Sequence, residues 1–288
     1  MVAIKSYKGF DKNLKCRDFQ YEIGKEYEMD GEIKVCNRGF HACESPFDVF
    51  DHYTMIDSRF CEVEQDGNIS KKDRGTKICS SKIKIKAELK LADMINLGVE
   101  WLKEITSPEK IKTSIKDNSS GYGAKIGSSG NYAKIGSSGD DAKIGSSGNY
   151  AKIGSSGNYA QIGSSGYYAK IGSSGYGAKI GSSGDDAKIG SSGNYAKIGS
   201  SGNYAKIGSS GDDAQIDSTG EGCVIMCAGI NSVAKASKGS WITLSEWSYS
   251  DKKQRYIPVC VKTEFVDGEK IKADTYYKLA GGVFKEIQ

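Results

Sequence analysis

One nine-residue phrase dominates the chain. AKIGSSGNY returns with little change about eleven times between Ala124 and Ile216. A period this strict marks a solenoid, in which each unit covers the apolar face of its neighbour. In the unit from Gly136 to Ile144, alternation places Ala142 and Ile144 on one face of a short strand and Lys143 on the other. Gly-Ser-Ser-Gly is expected to form the corner, because glycine takes positive φ without steric cost. The residue before each alanine, often tyrosine, is expected to point the same way as lysine. Gly-Ser richness alone would suggest a flexible linker. A linker, however, has no reason to place isoleucine at every ninth position.

One nonapeptide cannot close a coil, so two units (about 18 residues) or three (about 27) must do so. Charge decides between them. Equivalent residues of successive coils lie about 4.8 Å apart, where like charges repel. With three units, Asp185-Asp186 would stack on Asp212-Asp213; with two, no acidic pair meets another. The expectation is a two-sided coil with an alanine and isoleucine interior. One side then carries an unbroken lysine column, Lys134, Lys152, Lys170, Lys188 and Lys206, beside Tyr132, Tyr150 and Tyr168, with Asp186 and Tyr204 continuing the row. The other side is interrupted by Gln161 and Gln215. Lysine and tyrosine at regular spacing could bind phosphates or bases by charge and stacking. They could equally keep an exposed sheet soluble and stack on one another. A calcium-binding nonapeptide roll is disfavoured, because only Asp141, Asp186 and Asp213 fall at the ligand position. An ice-binding face fits an outward lysine column poorly.

Residues 1–110 have an ordinary composition and are expected to form a small α+β domain. Phe19–Ile23, Ile33–Cys36, Phe60–Val63 and Ile83–Lys86 alternate as strands. Ser45-Pro46 before Phe47 predicts a capped helix start. Ala92–Ile105 predicts a second helix with Met94, Leu97, Trp101 and Leu102 on one side. The chemically suggestive cluster is Gly39-Phe40-His41-Ala42-Cys43, with Cys36 and His52 nearby. His41 and Cys43 are candidates for a nucleophile–base pair or a zinc site. No second spaced pair completes a metal pattern, so a structural role for both is the competing expectation. The repeats hold many serines but no histidine, and no phosphate loop or dinucleotide fingerprint occurs. No metal or cofactor is expected, and nothing in the motifs supports an enzyme.

The eight cysteines form no CxxC pair, and the first residues lack a signal peptide's apolar core. Free buried thiols and a cytoplasmic location, the host cytosol for a phage product, are therefore expected. The net charge of +4 is too small to mark a nucleic-acid-binding protein by itself.

The runs Tyr7-Lys8-Gly9-Phe10-Asp11, Cys16-Arg17-Asp18-Phe19-Gln20-Tyr21-Glu22-Ile23-Gly24-Lys25 and Gly39–Cys43 carry a resemblance. They look like an N-terminal domain of phage and prophage accessory proteins, which is often followed by a Gly-Ser nonapeptide array. A tail like Lys238-Gly239-Ser240-Trp241-Ile242-Thr243-Leu244 then completes such proteins. The resemblance implies a phage accessory origin and raises the expectation of a host-defence inhibitor, an anti-CRISPR role included. It brings no catalytic residue.

Beyond Ile216 the phrase decays, and 236–288 is expected to be a β cap and meander, with strands at Arg255–Phe265, Glu269–Ala273, Thr275–Leu279 and Val283–Ile287. The solenoid proper is placed at 111–235. The expected function is that of a non-enzymatic binding protein that engages a host protein or nucleoprotein complex. Direct nucleic-acid contact, or a homo-oligomer through the cap, would be compatible with it. Two rivals stand beside it: an N-terminal domain that binds or modifies a small nucleotide-like ligand, and a structural virion or fibre component.

Overall fold

The fold is described from a computed structural model covering residues 3–55, 57–71, 76–106, 118–119 and 121–287. The chain divides into two compact units, Met1–Gly98 and Val99–Gln288. The boundary expected at residues 110 and 111 lies outside the described residues. The division falls within the helix Leu91–Ile105.

In the first unit, a long hairpin of Arg59–Lys71 and Lys77–Leu89 supplies two sides of a sheet. Ile4–Phe10 pairs with Arg59–Lys71 and with Phe40–Cys43, which in turn pairs with Lys77–Leu89, so these four strands close a ring. Glu26–Glu28 adds an edge. Phe10, Tyr21, Phe40, Val63, Ile83 and Ile85 fill the interior. Two expected strands are corrected. Only Phe19–Gln20 of the first is extended, paired with Lys15–Cys16. Ile33–Cys36 is a turn instead, closed by a bridge between Lys34 and Arg38, with Cys36 left-handed at φ 67°. The Ser45-Pro46 signal starts a 3₁₀ turn, Phe47–Asp51, rather than a longer helix, and the Asp48 N–H reaches Ser45 Oγ at 3.4 Å. The second helix forms as expected, but its buried seam is Met94, Ile95, Val99 and Leu102; Leu97 and Trp101 are half-buried.

The second unit is a β-solenoid with two units per coil. Residues eighteen apart pair in parallel register, Lys134 with Lys152 on one sheet and Lys143 with Gln161 on the other, and each sheet is nine-stranded including the cap. Most strands read Lys-Ile-Gly-Ser, with Gln161–Ser164 and Gln215–Ser218 beginning in glutamine. Isoleucine and the first serine face inward with the alanine; lysine and the first glycine face outward. The interior thus contains serine as well as the expected alanine and isoleucine: Ser146, Ser164, Ser182 and Ser200 are fully buried.

The corner also differs from expectation. It is built by Ser-Gly-Asn-Tyr, and the left-handed residue is the tyrosine or aspartate: φ is 58° at Tyr150 and 55° at Asp141. The second glycine is required by stacking instead. A Cβ on Gly148 would collide with the carbonyl oxygen of Gly130 in the coil below. The first residue of the variable pair is a ladder element: Asn131 Oδ1 accepts the Asn149 N–H at 2.9 Å, and Asp140 Oδ1 accepts the Asn158 N–H at 2.7 Å. Asparagine and aspartate alternate at this first place because both offer an acceptor of similar reach, except where Tyr167 and Tyr176 take it, while the second place holds the left-handed backbone with tyrosine, aspartate or glycine.

The cap ends both sheets. Trp241–Ser250 adds in parallel to Val224–Cys227, and Arg255–Phe265 closes that sheet in antiparallel fashion. Tyr277–Ala280 and Val283–Glu286 end the other. The expected strand at Glu269–Ala273 is absent; a turn held by Asp267 Oδ1 stands there, accepting from Glu269 and Ile271 N–H. Asp217 takes the outward glycine position of the repeat and is fully buried, ion-paired with Lys235 at 2.7 Å and 3.4 Å from the Tyr276 hydroxyl. Among the described residues, no helix is long and apolar enough to cross a membrane.

Candidate functional site

The two sheets of the solenoid share an outward Lys-Gly pattern but differ in what covers it. On the second sheet, the end of the helix, from Val99, and the following Thr106 lie over Gly127, Gly145 and Gly163. A Cβ on Gly145 would strike Thr106 Oγ1, and one on Gly163 would press on Leu102. The Lys143 ammonium sits 5.0 Å from the Trp101 ring centre, and Lys179 is buried.

On the first sheet the same row is open. Among the described residues, nothing approaches within 4 Å of where a Cβ would stand at Gly154, Gly172, Gly190 or Gly208. Lys134, Lys152, Lys170, Lys188 and Lys206 are all exposed and stand side by side along this row. Glycine floor and lysine wall form an open trough of about 780 Å³. The predicted lysine column is thus brought together in one surface.

Tyr132, Tyr150 and Tyr168 stand next to it at the corner rather than on the strand, because the αL residue turns the chain there. Their rings stack on each other, with centroids 5.0 Å apart and planes within 8°. The row then meets Asp186, whose charge raises the Tyr168 pKa.

Sequence reasoning missed how the trough ends. In register with Lys206 come Val224 and then Trp241, and in register with Gly208 comes Met226. Val224 is 39 % exposed, Trp241 47 % and Met226 55 %, and the Trp241 ring packs on Phe265 at 5.0 Å. An apolar ledge of this kind, rimmed by charge, is unusual on a soluble surface. Reading the eighteen-residue register two coils beyond Lys188 would have exposed it; Trp241 falls within the expected 236–288 cap, where Ile242 and Leu244 are buried and Trp241 is not.

The first unit holds a cavity of about 490 Å³. It gathers His41 and Cys43 with Cys36 and His52, and adds Lys8, Cys16, Arg17, Tyr53 and Lys77. His41 Nε2 accepts the Cys36 N–H at 2.9 Å, which ties the ring to the 34–38 turn. Burial first, then the charges of Lys77 and Lys8, push the His41 pKa down to about 4, so the ring is neutral at neutral pH. Cys43 is buried. The Lys8 ammonium donates to the His41 carbonyl oxygen at 3.0 Å and lies 3.5 Å from Cys16 Sγ, which meets the Tyr53 hydroxyl at 3.0 Å. Burial lowers the Lys8 pKa. Among the described residues, no three His, Cys, Asp or Glu side chains converge as a metal site.

Residues 4–97 match the family model described as a domain of unknown function (DUF7666). No curated protein and no solved structure matches the chain.

Proposed function

We propose that this is a non-enzymatic binding protein whose solenoid presents the lysine-walled trough and its Val224–Met226–Trp241 ledge to an acidic protein surface. One observation carries this reading: in two sheets with the same repeat, Gly127, Gly145 and Gly163 of one meet the 99–106 segment, whereas among the described residues Gly154, Gly172, Gly190 and Gly208 of the other meet no neighbour. Five like charges in adjacent rows cost stability, and an acidic partner would relieve that cost while steering its own approach. The glycine floor lets a partner's side chains or backbone come close to the sheet. The ledge offers the aromatic anchor on which interface energy concentrates. A coil that repeats in register gives such a surface a fixed spacing.

The phage-type setting implied by the N-terminal motifs leads us to propose a host protein or nucleoprotein complex, a defence component included, as the partner. The test is affinity capture from infected cells with the wild-type chain, a triple Lys152→Glu, Lys170→Glu, Lys188→Glu variant and Trp241→Ala. Capture of one defined partner that both variants lose supports the reading. Unchanged capture by the lysine variant removes this face as the site. Equal retention of free duplex DNA would replace the protein partner by nucleic acid.

A further inference from the structure

We propose that the cavity of the N-terminal unit binds a small phosphate-bearing ligand of nucleotide size, with the phosphate held by Lys8, Arg17 and Lys77. The cavity's volume of about 490 Å³ falls within the range of about 300–1,000 Å³ found for small-molecule sites. Its lining contains three strong cations and two histidines but no aspartate or glutamate. Such one-sided charge is what an anion site needs and what a structural ion-pair network lacks.

Lys8 makes the case specific. Its side chain is 4 % exposed, and its ammonium spends hydrogens on the His41 carbonyl and on Cys16 Sγ. The Phe10 and Tyr21 rings stand 5.3 and 5.7 Å away. Among the described residues, no carboxylate pairs with Lys8, Arg17 or Lys77. A buried cation without a counter-charge is costly, and its lowered pKa records that cost. A bound phosphate would supply the missing counter-charge and oppose that lowering.

Arg17 is exposed at the cavity with φ 56°, a left-handed backbone that non-glycine residues seldom adopt. Its guanidinium fork suits phosphate oxygens. Tyr7, Tyr21 and Tyr53 add aromatic surface for a planar ring. Gly9 is what admits Tyr53, since a Cβ there would run into the tyrosine ring.

The test is calorimetric titration of the full chain with inorganic phosphate, pyrophosphate, the four nucleoside monophosphates, and adenosine as the phosphate-free control. Saturable binding of pyrophosphate or a monophosphate is expected, with adenosine far weaker. Arg17→Glu and Lys77→Glu, both at accessible positions, should each weaken it by about tenfold or more. Lys8→Met should abolish it, with circular dichroism checking its fold. The solenoid variant Lys152→Glu, Lys170→Glu, Lys188→Glu should bind as wild type. No binding by any of these anions at millimolar concentration overturns the proposal. So does binding that the Arg17 and Lys77 variants leave intact, or that only the solenoid variant loses.

Discussion

Asn149 and Tyr167 are joined across one coil: Asn149 Oδ1 accepts the Tyr167 N–H at 2.9 Å, and Asn149's own N–H is held by Asn131 Oδ1 at 2.9 Å. Because this ladder uses only an acceptor oxygen, Asn149→Asp should keep it, as Asp140, Asp185 and Asp212 do elsewhere. Asn149→Ala removes the acceptor and should cost about 1 kcal/mol. Amide hydrogen exchange at Tyr167 checks this: faster exchange is expected in the alanine variant and little change in the aspartate variant.

The glycines of one repeat are not equivalent. Gly148→Ala drives a methyl group into the Gly130 carbonyl of the coil below and should cost several kcal/mol. Gly172→Ala, on the open trough, meets no neighbour and should change stability by less than about 1 kcal/mol. Urea unfolding of the two variants should therefore separate widely; equal effects would contradict the stacking described.

Several inward serines, Ser164 and Ser182 among them, bury an Oγ that finds no hydrogen-bond partner among the described residues. An unmatched buried hydroxyl costs about 1–3 kcal/mol, part of which the alanine change recovers. Ser164→Ala and Ser182→Ala should accordingly leave the melting temperature unchanged or raise it. A marked drop would mean that the hydroxyls are doing bonding work within the core.

Asp217 and Lys235 lock the cap. Lys235→Met strands a buried carboxylate and should cost about 3–5 kcal/mol, and adding Asp217→Gly, the residue of the repeat, should restore most of it. Burial raises the Asp217 pKa. The folded state then holds its proton more tightly than the unfolded chain, so that contribution to stability is present at low pH and lost as pH rises through the folded value. Asp217→Asn should flatten this dependence in denaturation measured across the acid range.

His41 has the opposite sign. Its folded pKa of about 4 lies below the ordinary 6.5, so its contribution is full above pH 6.5 and lost as pH falls toward 4. Protonation would also remove the acceptor for the Cys36 N–H. Thermal melts of the N-terminal unit should weaken over that window, and His41→Gln should lack the dependence.

The solenoid was legible because a charge argument on three aspartate pairs fixed the coil at two units, and the parallel pairing of Lys134 with Lys152 follows from it. The corner was not, because φ > 0 is usually assigned to glycine. Here the glycine is demanded by Gly130–Gly148 crowding, and tyrosine accepts the αL cost in exchange for stacking. The N-terminal cavity was half visible. His41 and Cys43 stood out as chemically versatile residues, whereas nothing in the local sequence marks Lys8, which the ring of strands buries. Trp241 fell within the expected cap, and its register with Lys206 and Val224 puts it on the outward row of the first sheet.

Because sheet membership alternates with every nonapeptide, the length of the rod can change safely only by an even number of units. Losing one pair of units by unequal recombination shortens the lysine wall by a single rung and leaves everything downstream in place. Losing one unit instead carries every later strand to the opposite side, so that Val224 and Trp241 would leave the face of the lysine column and Asp217 would come to lie on it. Repeat-number variants of this gene should therefore be found in steps of two, a parity rule that the geometry of a single coil imposes on the DNA.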